Sequence, residues 1–205
     1  MRGNPGATSR ILRTPKDRFA ASGIPHRSEW GGLSANGAIV FTNATLRLDQ
    51  ADLDFWLSEA NLNAAPAENK GFFQGAIASI KPYVDAKKVS AFTGPTDLVP
   101  GIKSVPSHGH TKGNTTYIVE SDGQKLVLAG DLMHAAAVQF KDPSVTIAFD
   151  TDTKAAIAER KKAYADAVKG RYLIAFTHVS FPGVGHLKAE GKGYEWFPLN
   201  YTSSK

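Results

Sequence analysis

Short apolar strand patterns alternate with longer helical patterns from Ala38 onward, and this alternation limits the possible folds more than any other feature. Residues 125–129 and 172–176 contain nearly continuous apolar runs, which are typical of strands that are covered on both faces. Strands of this kind pack against layers of helices in α/β proteins. The sequence therefore predicts an α/β fold in which helices cover a sheet.

The residues before Ala38 differ in character from the rest of the chain. Up to Gly37 the sequence is rich in Gly, Pro, Ser and Arg, and it shows no sustained helix or strand period. We therefore expect an irregular N-terminal segment over residues 1–37 and a packed α/β part over residues 38–205.

Capping and turn signals predict the elements of the packed part. Asp49 is a good N-cap residue for a first helix, Pro82 is expected to end a second helix, and Gly170 is placed to end the longest helix. The turn signal Asp122-Gly123 predicts a hairpin. The predicted helices cover residues 50–61, 70–80 and 153–169, the hairpin strands cover residues 115–120 and 125–129, and further strands cover residues 89–92, 102–105 and 172–176.

The composition excludes several classes of function. The 205 residues contain no cysteine, which rules out disulfide bonds, thiolate zinc sites and a cysteine nucleophile. The net charge of +5 is scattered, so nucleic acid is not an expected partner. The run Arg160-Lys161-Lys162 is interpreted as a solvated helix face.

We expect no membrane partner, because no run approaches the ~20 apolar residues that span a bilayer. The N-terminus lacks the apolar core of a signal peptide, and the localisation stays open.

Polar side chains that could bind a metal lie next to three predicted strands. His110 precedes the first hairpin strand, Asp131 follows the second hairpin strand, and His178 follows the strand at residues 172–176. Ligand-type residues at the ends of neighbouring strands lie on one edge of a sheet, where α/β active sites collect. Two imidazoles and a carboxylate suit Zn²⁺ or a similar divalent metal. Asp131 is equally well explained as a turn or cap residue.

These residues resemble the later metal-binding motifs of the metallo-β-lactamase superfamily, through Gly109-His110-Thr111, Gly130-Asp131 and His178. The match is closer to methyl parathion hydrolase and its lactonase-like relatives, through residues 70–73, 97–103, 135–140, 180–186 and 190–194. The resemblance implies an αβ/βα sandwich with a centre of two divalent metals, with Zn²⁺ as the cofactor. It also implies that His110 ligates one metal, Asp131 bridges both metals, and His178 ligates the other.

The metal-binding loop departs from the family pattern at two positions. The family's usual loop reads G-H-T-P-G-H-T, and its proline is Lys112 here. Its second histidine is Asn114. In the family that second histidine is normally not a direct metal ligand, so we expect the change to be tolerated.

The first metal motif of the superfamily, H-x-H-x-D-H, is missing. It should stand shortly before the pair Gly31-Gly32, but its ligand positions hold Ile24, His26, Ser28 and Glu29. The strands that precede the motif in the family are also absent. We therefore expect a truncated or degenerate N-terminal part, with three strong ligands left and at most one bound metal. His26 is a possible weak ligand, with an exposed tail as the simpler interpretation.

The resemblance also implies a substrate pocket, lined by Trp56, Phe72, Phe73, His134, Ile147 and Phe149. Aromatic side chains at helical spacing are more often part of a core than of a pocket. His134 is expected to act with Asp131 in catalysis or to form a local hydrogen bond. A polar imidazole beside bulky Ile147 and Phe149 suits a flat aromatic lactone or ester better than a wide phosphotriester.

Two hypotheses of function follow from the resemblance and its departures. The first is a metal-dependent hydrolase, in which water activated by Zn²⁺ attacks a lactone, ester or phosphotriester bond of a small molecule. The second is a catalytically inactive fragment that keeps only partial metal binding or dimerisation, and the missing first motif favours it. Relatives of this kind are often homodimers and often exported. A missing sheet would expose apolar surface, so self-association into a homodimer is expected.

Overall fold

A computed structural model of the chain describes residues 18–21 and 33–200. The chain divides into two compact units, which we call the first unit, Met1–Leu48 with Leu53–Phe92, and the second unit, Asp49–Asp52 with Thr93–Lys205. Within the described ranges, every helix is too short or too polar to cross a membrane. The predicted division of the chain at residue 37 stays a prediction.

The first unit contains short strands and three α-helices. Strands β1 and β4 pair in parallel, and β2 and β3 form a small antiparallel hairpin. The bounds of these elements are β1 Arg18–Ala21, β2 Ser34–Ala35, β3 Ala38–Ile39, β4 Ala44–Arg47, α1 Gln50–Trp56, α2 Glu59–Ala64 and α3 Lys70–Asp85, with a 3-10 helix over Ala67–Asn69. The first residues of α1 group with the second unit.

The core of the first unit is apolar. Helix α3 buries Phe73, Ala76 and Ile80 at the spacing of one helix face. The remaining buried members of this cluster are Leu33, Leu46, Leu48, Trp56 and Tyr83. The Tyr83 hydroxyl donates a hydrogen bond to the Leu33 carbonyl at 3.0 Å, so its polar group is satisfied within the core.

Three sequence predictions in the first unit are wrong in detail. The helix predicted over residues 50–61 is two helices, because Ser58 accepts a hydrogen bond from the Asn61 N–H at 3.2 Å and starts α2. Helix α3 continues past Pro82. A proline removes a single donor, and the helix ends three residues later. Residues 89–92 form isolated bridge contacts, such as the one between Leu46 and Val89, instead of a strand.

The second unit is built on a seven-stranded sheet in the order β11-β10-β9-β8-β7-β6-β5. Its neighbouring strands are antiparallel except for β8 and β9, which are parallel. The bounds are β5 Thr96–Val99, β6 Ile102–Pro106, β7 Thr115–Ser121, β8 Gln124–Leu128, β9 Leu173–Ala175, β10 Val184–Glu190 and β11 Gly193–Pro198. The other elements are the 3-10 helix Gly130–Leu132, helix α4 Ala136–Gln139 and helix α5 Thr153–Gly170.

Turn and cap residues determine where the β7–β8 hairpin turns and where helix α5 begins and ends, largely as predicted. Asp122 and Gly123 both have positive φ, 50° and 73°, as a two-residue turn of the β7–β8 hairpin requires. The Asp152 carboxylate caps α5 by accepting a hydrogen bond from Ala155 N–H at 3.0 Å. The left-handed residue that ends α5 is Arg171, with φ 52°, one position after the predicted Gly170.

Helix α5 packs on one face of the sheet. Tyr164 and Ala167 of this helix are buried against Val127 of β8 and Ile174 of β9. The rest of this core consists of Ala129, Leu132, Met133, Phe140, Phe176 and Leu187. The large mixed sheet with a covering helix confirms the predicted α/β class.

The strand order brings three loops to one edge of this sheet. The C-terminal ends of parallel β8 and β9 lie side by side at that edge. Leu128, at the end of β8, pairs with Tyr117 near the start of β7, so the loop between β6 and β7 reaches the same edge. This edge is where the sequence predicts the metal ligands.

Candidate metal centre

The histidines and the aspartate predicted as ligands converge at this edge of the second unit. Asp131, in the 3-10 helix after β8, is 1% exposed, and its backbone departs from helical geometry at φ −88° and ψ 25°. Three imidazole Nε2 atoms face its carboxylate: His178 lies 3.3 Å from Oδ1, while His134 and His110 lie 3.5 and 3.8 Å from Oδ2. The sequence prediction thus places His110, Asp131 and His178 correctly beside one another, and their roles as ligands stay a prediction.

His134 lies between the other two imidazoles. Its ring centroid is 4.4 Å from that of His110 and 4.5 Å from that of His178, on which it stacks with an interplanar angle of 24°. Ligand atoms of His110, Asp131 and His134 all lie within 4.8 Å of one another. The structure thereby places His134 in the candidate ligand group, a role that the sequence left to catalysis or local hydrogen bonding. The side chain of His178 stands at the rim, 32% exposed.

The residues fit a divalent cation. Both carboxylate oxygens of Asp131 are buried, and the imidazole nitrogens that face them lie 3.3–3.8 Å away, farther than in a normal charge-assisted hydrogen bond. A buried polar atom without a partner is costly, and a carboxylate more so than a neutral group. A carboxylate surrounded by imidazole nitrogens is a donor set that zinc prefers, and a cation held there would satisfy both oxygens.

Asp150 orients the His110 ring. His110 Nδ1 lies 2.9 Å from Asp150 Oδ1, and both side chains are almost completely buried. An ionised carboxylate accepts a hydrogen bond, so Nδ1 carries a proton, and Nε2 is the ring atom on the side of Asp131. Forty residues separate the two partners. No local spacing in the sequence links Asp150 to the histidine, so its role was not predicted.

The carboxylates of the centre are held in their ionised form. Burial raises the pKa of Asp131, but contact with His134 and the electrostatic effect of the imidazoles of His134, His178 and His110 outweigh it, so that the pKa lies below its usual value. Burial likewise raises the pKa of Asp150, and its hydrogen bonds with His110 and the Ile147 N–H hold that pKa below the usual range. Both groups therefore carry negative charge at neutral pH.

Arg160 is buried next to Asp150, with its Nη2 3.7 Å from Asp150 Oδ2, so the prediction of a solvated helix face is wrong for this residue. It is 1% exposed, and its neighbour Lys162 is an exposed side chain at 62%. Arg160 lies on the buried face of α5, four residues from both Ala156 and Tyr164. That spacing was the available sequence signal, and the run of three basic residues obscured it.

The loop that carries His110 depends on one close backbone approach and on one side-chain hydrogen bond. Gly109 has φ 142°, and a Cβ at this position would lie 2.3 Å from the backbone nitrogen of Ala156. Asn114 takes the place of the family's second histidine, and its side-chain amide donates to the Ser107 carbonyl at 2.9 Å. In this chain the side chain at this position therefore closes the loop on itself, and the expected tolerance of the change stays a prediction.

Two carboxylates at the start of α1 hold the same loop. Asp52 accepts hydrogen bonds from the Thr111 hydroxyl at 2.9 Å and from the Gly113 N–H at 2.8 Å. Asp49 accepts from the Ala51 N–H at 2.8 Å, which confirms its predicted capping role. Its other oxygen lies 3.3 Å from His108 Nε2.

The residues predicted to line the substrate pocket fall in both units. In the first unit, Trp56 and Phe73 are 6% and 5% exposed and pack with Phe55, while Phe72 is half-buried beside them. In the second unit, Ile147 donates its N–H to Asp150 at 3.3 Å, and Phe149 is 54% exposed. The pocket role of these residues stays a prediction. His26, the possible weak ligand, lies outside the described residues, as does the whole replaced motif.

No protein-family model and no curated protein matches the sequence significantly. Solved structures do match it. A hydrolase of the β-lactamase superfamily, AbOPH, has a TM-score of 0.82 and 30% identity over 90% of this chain and 65% of its own. AidC, a dizinc quorum-quenching lactonase, has a TM-score of 0.80 and 24% identity over 92% and 65%. A probable metal-dependent hydrolase from Staphylococcus aureus has a TM-score of 0.71 and 23% identity over 91% and 63%.

The chain spans just under two thirds of the length of these neighbours. Its fold matches theirs over nine tenths of its own residues, which confirms the predicted fold class. The specific likeness to methyl parathion hydrolase and the expected loss of an N-terminal part stay predictions. The structure and its neighbours together establish that this chain has the fold of the metallo-β-lactamase hydrolases.

Proposed function

We propose that this protein is a metal-dependent hydrolase that cleaves lactone or ester bonds. One observation carries the proposal: the buried carboxylate of Asp131 faces three imidazole nitrogens at 3.3–3.8 Å, none of them at the distance of a normal charge-assisted hydrogen bond. The neighbours support the reaction class, because two of them are a hydrolase and a dizinc lactonase with the same fold.

We propose one Zn²⁺ per chain, held by His110, Asp131 and His134. Three protein ligands with an open position are the usual arrangement of a catalytic zinc site. When bound, the cation supplies a Lewis acid that activates water and polarises the carbonyl of the substrate. His178 completes the rim of the site on its more exposed side.

The residues of the chain supply the remaining chemistry. Asp131 is ionised at neutral pH, so it can accept a proton from the attacking water and deliver it to the leaving oxygen. Asp150 keeps the proton of His110 on Nδ1, which leaves Nε2 free to bind the cation. Since His178 is the more exposed of the site's imidazoles, we place substrate entry on its side.

The proposed preference for lactones and esters rests on the loop before α5. Phe149 exposes 54% of its surface, and the half-buried Ile147 lies in the same loop, with its N–H on Asp150. A flat acyl or aryl group can pack on such an apolar surface, whereas the substituents around a tetrahedral phosphotriester need more width. The polar imidazole of His134 also favours a lactone or an ester over a phosphotriester.

Hydrolysis assays of the zinc-loaded chain test this function. We expect an aryl lactone and an aryl ester to be hydrolysed faster than a phosphotriester with the same leaving group. A chelator should abolish the activity, and zinc should restore it. Asp131→Asn should be inactive, whereas Asp142→Asn, which changes an exposed carboxylate, should behave as the wild type. Faster phosphotriester turnover would reject the preference for lactones and esters.

A second candidate function is metal binding without hydrolysis. The missing first metal motif favours this second function, because Ile24, Ser28 and Glu29 stand where the family has two histidines and an aspartate. Tight zinc binding together with no activity on any of the three substrates would establish this second function.

A homodimer is proposed with either function, and the molar mass in solution, measured by light scattering, tests this oligomeric state.

A further inference from the structure

We propose that Arg160 and Asp150 form a buried positioning unit that fixes His110, Asp131 and His134 from behind. Neither residue belongs to the group of side chains that could hold the ion. The inference rests on the proposed function, because positioning matters only if the three side chains bind an ion. His110 is hydrogen-bonded directly to Asp150, and Asp131 and His134 are connected to Arg160 through neighbouring groups.

Arg160 connects to Asp131 through the next residue in the chain. Its Nε donates to the carbonyl of Leu132 at 2.7 Å. This bond fixes the peptide unit between Leu132 and Met133, one residue beyond Asp131, where the short 3-10 helix ends. A shift of this carbonyl would move the carboxylate away from the imidazoles.

Arg160 connects to His110 through Asp150. One guanidinium nitrogen, Nη2, lies 3.7 Å from Asp150 Oδ2, and the opposite oxygen of that carboxylate holds His110 Nδ1 at 2.9 Å. The Ile147 N–H also donates to Oδ2, at 3.3 Å. Asp150 is thereby fixed on both oxygens and can determine the tautomer and orientation of the imidazole.

Arg160 connects to His134 through a shared carbonyl. Its Nη1 donates to the Val145 carbonyl at 2.8 Å, and the Gln139 amide donates to the same oxygen at 2.9 Å. Gln139 in turn accepts from the backbone N–H of His134 at 2.7 Å. The Val145 carbonyl therefore links the guanidinium to the backbone of the third candidate ligand.

The chemistry of arginine explains why this position needs it. Nη1 also donates to the Pro143 carbonyl at 3.0 Å, so one planar group reaches three carbonyls and a carboxylate at once. A lysine ammonium has three donors at a single point and cannot span these acceptors. Because a buried ion pair is weak evidence for stability, we assign the network to the geometry of the site.

Four variants of the full chain separate positioning from stability. Arg160→Lys keeps the charge but loses the planar fork. Asp150→Asn keeps the shape but loses the ionised acceptor, and it serves as the second variant if the arginine change prevents folding. The matched controls on α5 are Tyr164→Phe, at a buried position whose ring packs on Phe140, Phe176 and Tyr194, and Lys162→Met, at an exposed one.

Two measurements are made on each folded variant. The first is the nitrogen NMR spectrum of the imidazoles in the metal-free protein, at a pH where they are neutral, which reports the tautomer of His110. The second is titration with Co²⁺, which reports affinity and, through the visible absorption spectrum, ligand geometry. The first measurement requires no metal and therefore does not depend on the proposed function.

We expect wild-type His110 to carry its proton on Nδ1, and Asp150→Asn and Arg160→Lys to give a mixture of tautomers. Their Co²⁺ affinity should fall about 10–100-fold with a changed spectrum, as for other residues that orient metal ligands. Both controls should match the wild type. An unchanged tautomer and spectrum in both test variants, or equal changes in Tyr164→Phe, would overturn the inference. If the tautomers change as expected but the wild type binds no Co²⁺, the positioning role stands and the proposed function fails.

Discussion

The two units bury different kinds of residue. Among the described residues, all but one of the buried polar or charged side chains lie in the second unit, and the exception is Ser79 of the first. The first unit has an apolar core around Phe73 and Trp56. The second unit has a comparable apolar core under α5, and it also buries Asp131, Asp150 and Arg160 at one edge of its sheet. This contrast indicates that changes in the first unit affect stability and that changes at the sheet edge affect metal binding.

The largest expected effect is on stability and lies in the first unit. Phe73 packs with Trp56 at 4.8 Å and with Phe55 at 5.3 Å between ring centroids. We expect Phe73→Ala to lower the free energy of unfolding by about 3–5 kcal/mol, as is typical of buried Phe→Ala changes. Urea denaturation measures the loss. The metal affinity of the folded fraction should not change. A loss of affinity in this variant would show that the first unit also determines metal binding.

The next largest effect is on metal affinity and lies in the second unit. Asp131→Asn removes the one carboxylate of the proposed ligand group. We expect zinc affinity to fall more than about 100-fold, beyond the 10–100-fold typical of residues that only orient ligands. Isothermal titration measures the affinity, and Asp142→Asn is the control with the same chemical change at an exposed position. Equal affinity of Asp131→Asn and the wild type would place the site elsewhere.

An intermediate effect is expected where a carboxylate holds the loop of His110. Asp52→Asn replaces an acceptor of two hydrogen bonds, from Thr111 and Gly113, with a group that can accept one of them. A buried donor left without a partner costs about 1–3 kcal/mol, so the free energy of unfolding should fall by that amount. Asp166→Asn on the exposed face of α5 serves as the control. A loss no larger than that of the control would show that Asp52 does not hold the loop.

The smallest expected effect is a dependence on pH at an exposed site. Hydrogen bonds from the side chain and backbone of Ser144 lower the pKa of Asp142. A lowered pKa in the folded state stabilises the protein above the pKa of the unfolded state, and this contribution is lost as the pH falls through the folded value. Ser144→Ala should therefore be less stable than the wild type at neutral pH, with the difference disappearing in acid. Thermal unfolding at both pH values measures it, and a difference that grows in acid would contradict the assignment.

Local signals in the sequence predicted much of the fold and part of the site. The Asp122-Gly123 turn, the capping role of Asp49 and the α/β class follow from short-range chemistry and strand patterns. His110, Asp131 and His178 were found because polar residues at strand ends collect at one sheet edge.

The remaining features depend on contacts that no local pattern encodes. Asp150 meets His110 across 40 residues. Arg160 is buried because its guanidinium satisfies carbonyls of distant loops, although Lys161 and Lys162, which follow it in the sequence, are exposed. Pro82 is tolerated inside α3 because tertiary packing of Ile80 and Tyr83 outweighs one lost hydrogen bond.

The metal content of the purified chain tests directly whether His110, Asp131 and His134 hold one zinc ion. The protein is equilibrated with excess zinc, freed of unbound metal by gel filtration, and its zinc is counted per chain by plasma mass spectrometry. We expect one zinc per chain in the wild type and in Asp142→Asn, and none in Asp131→Asn. A wild type that retains no zinc, or one that retains two ions, would contradict it.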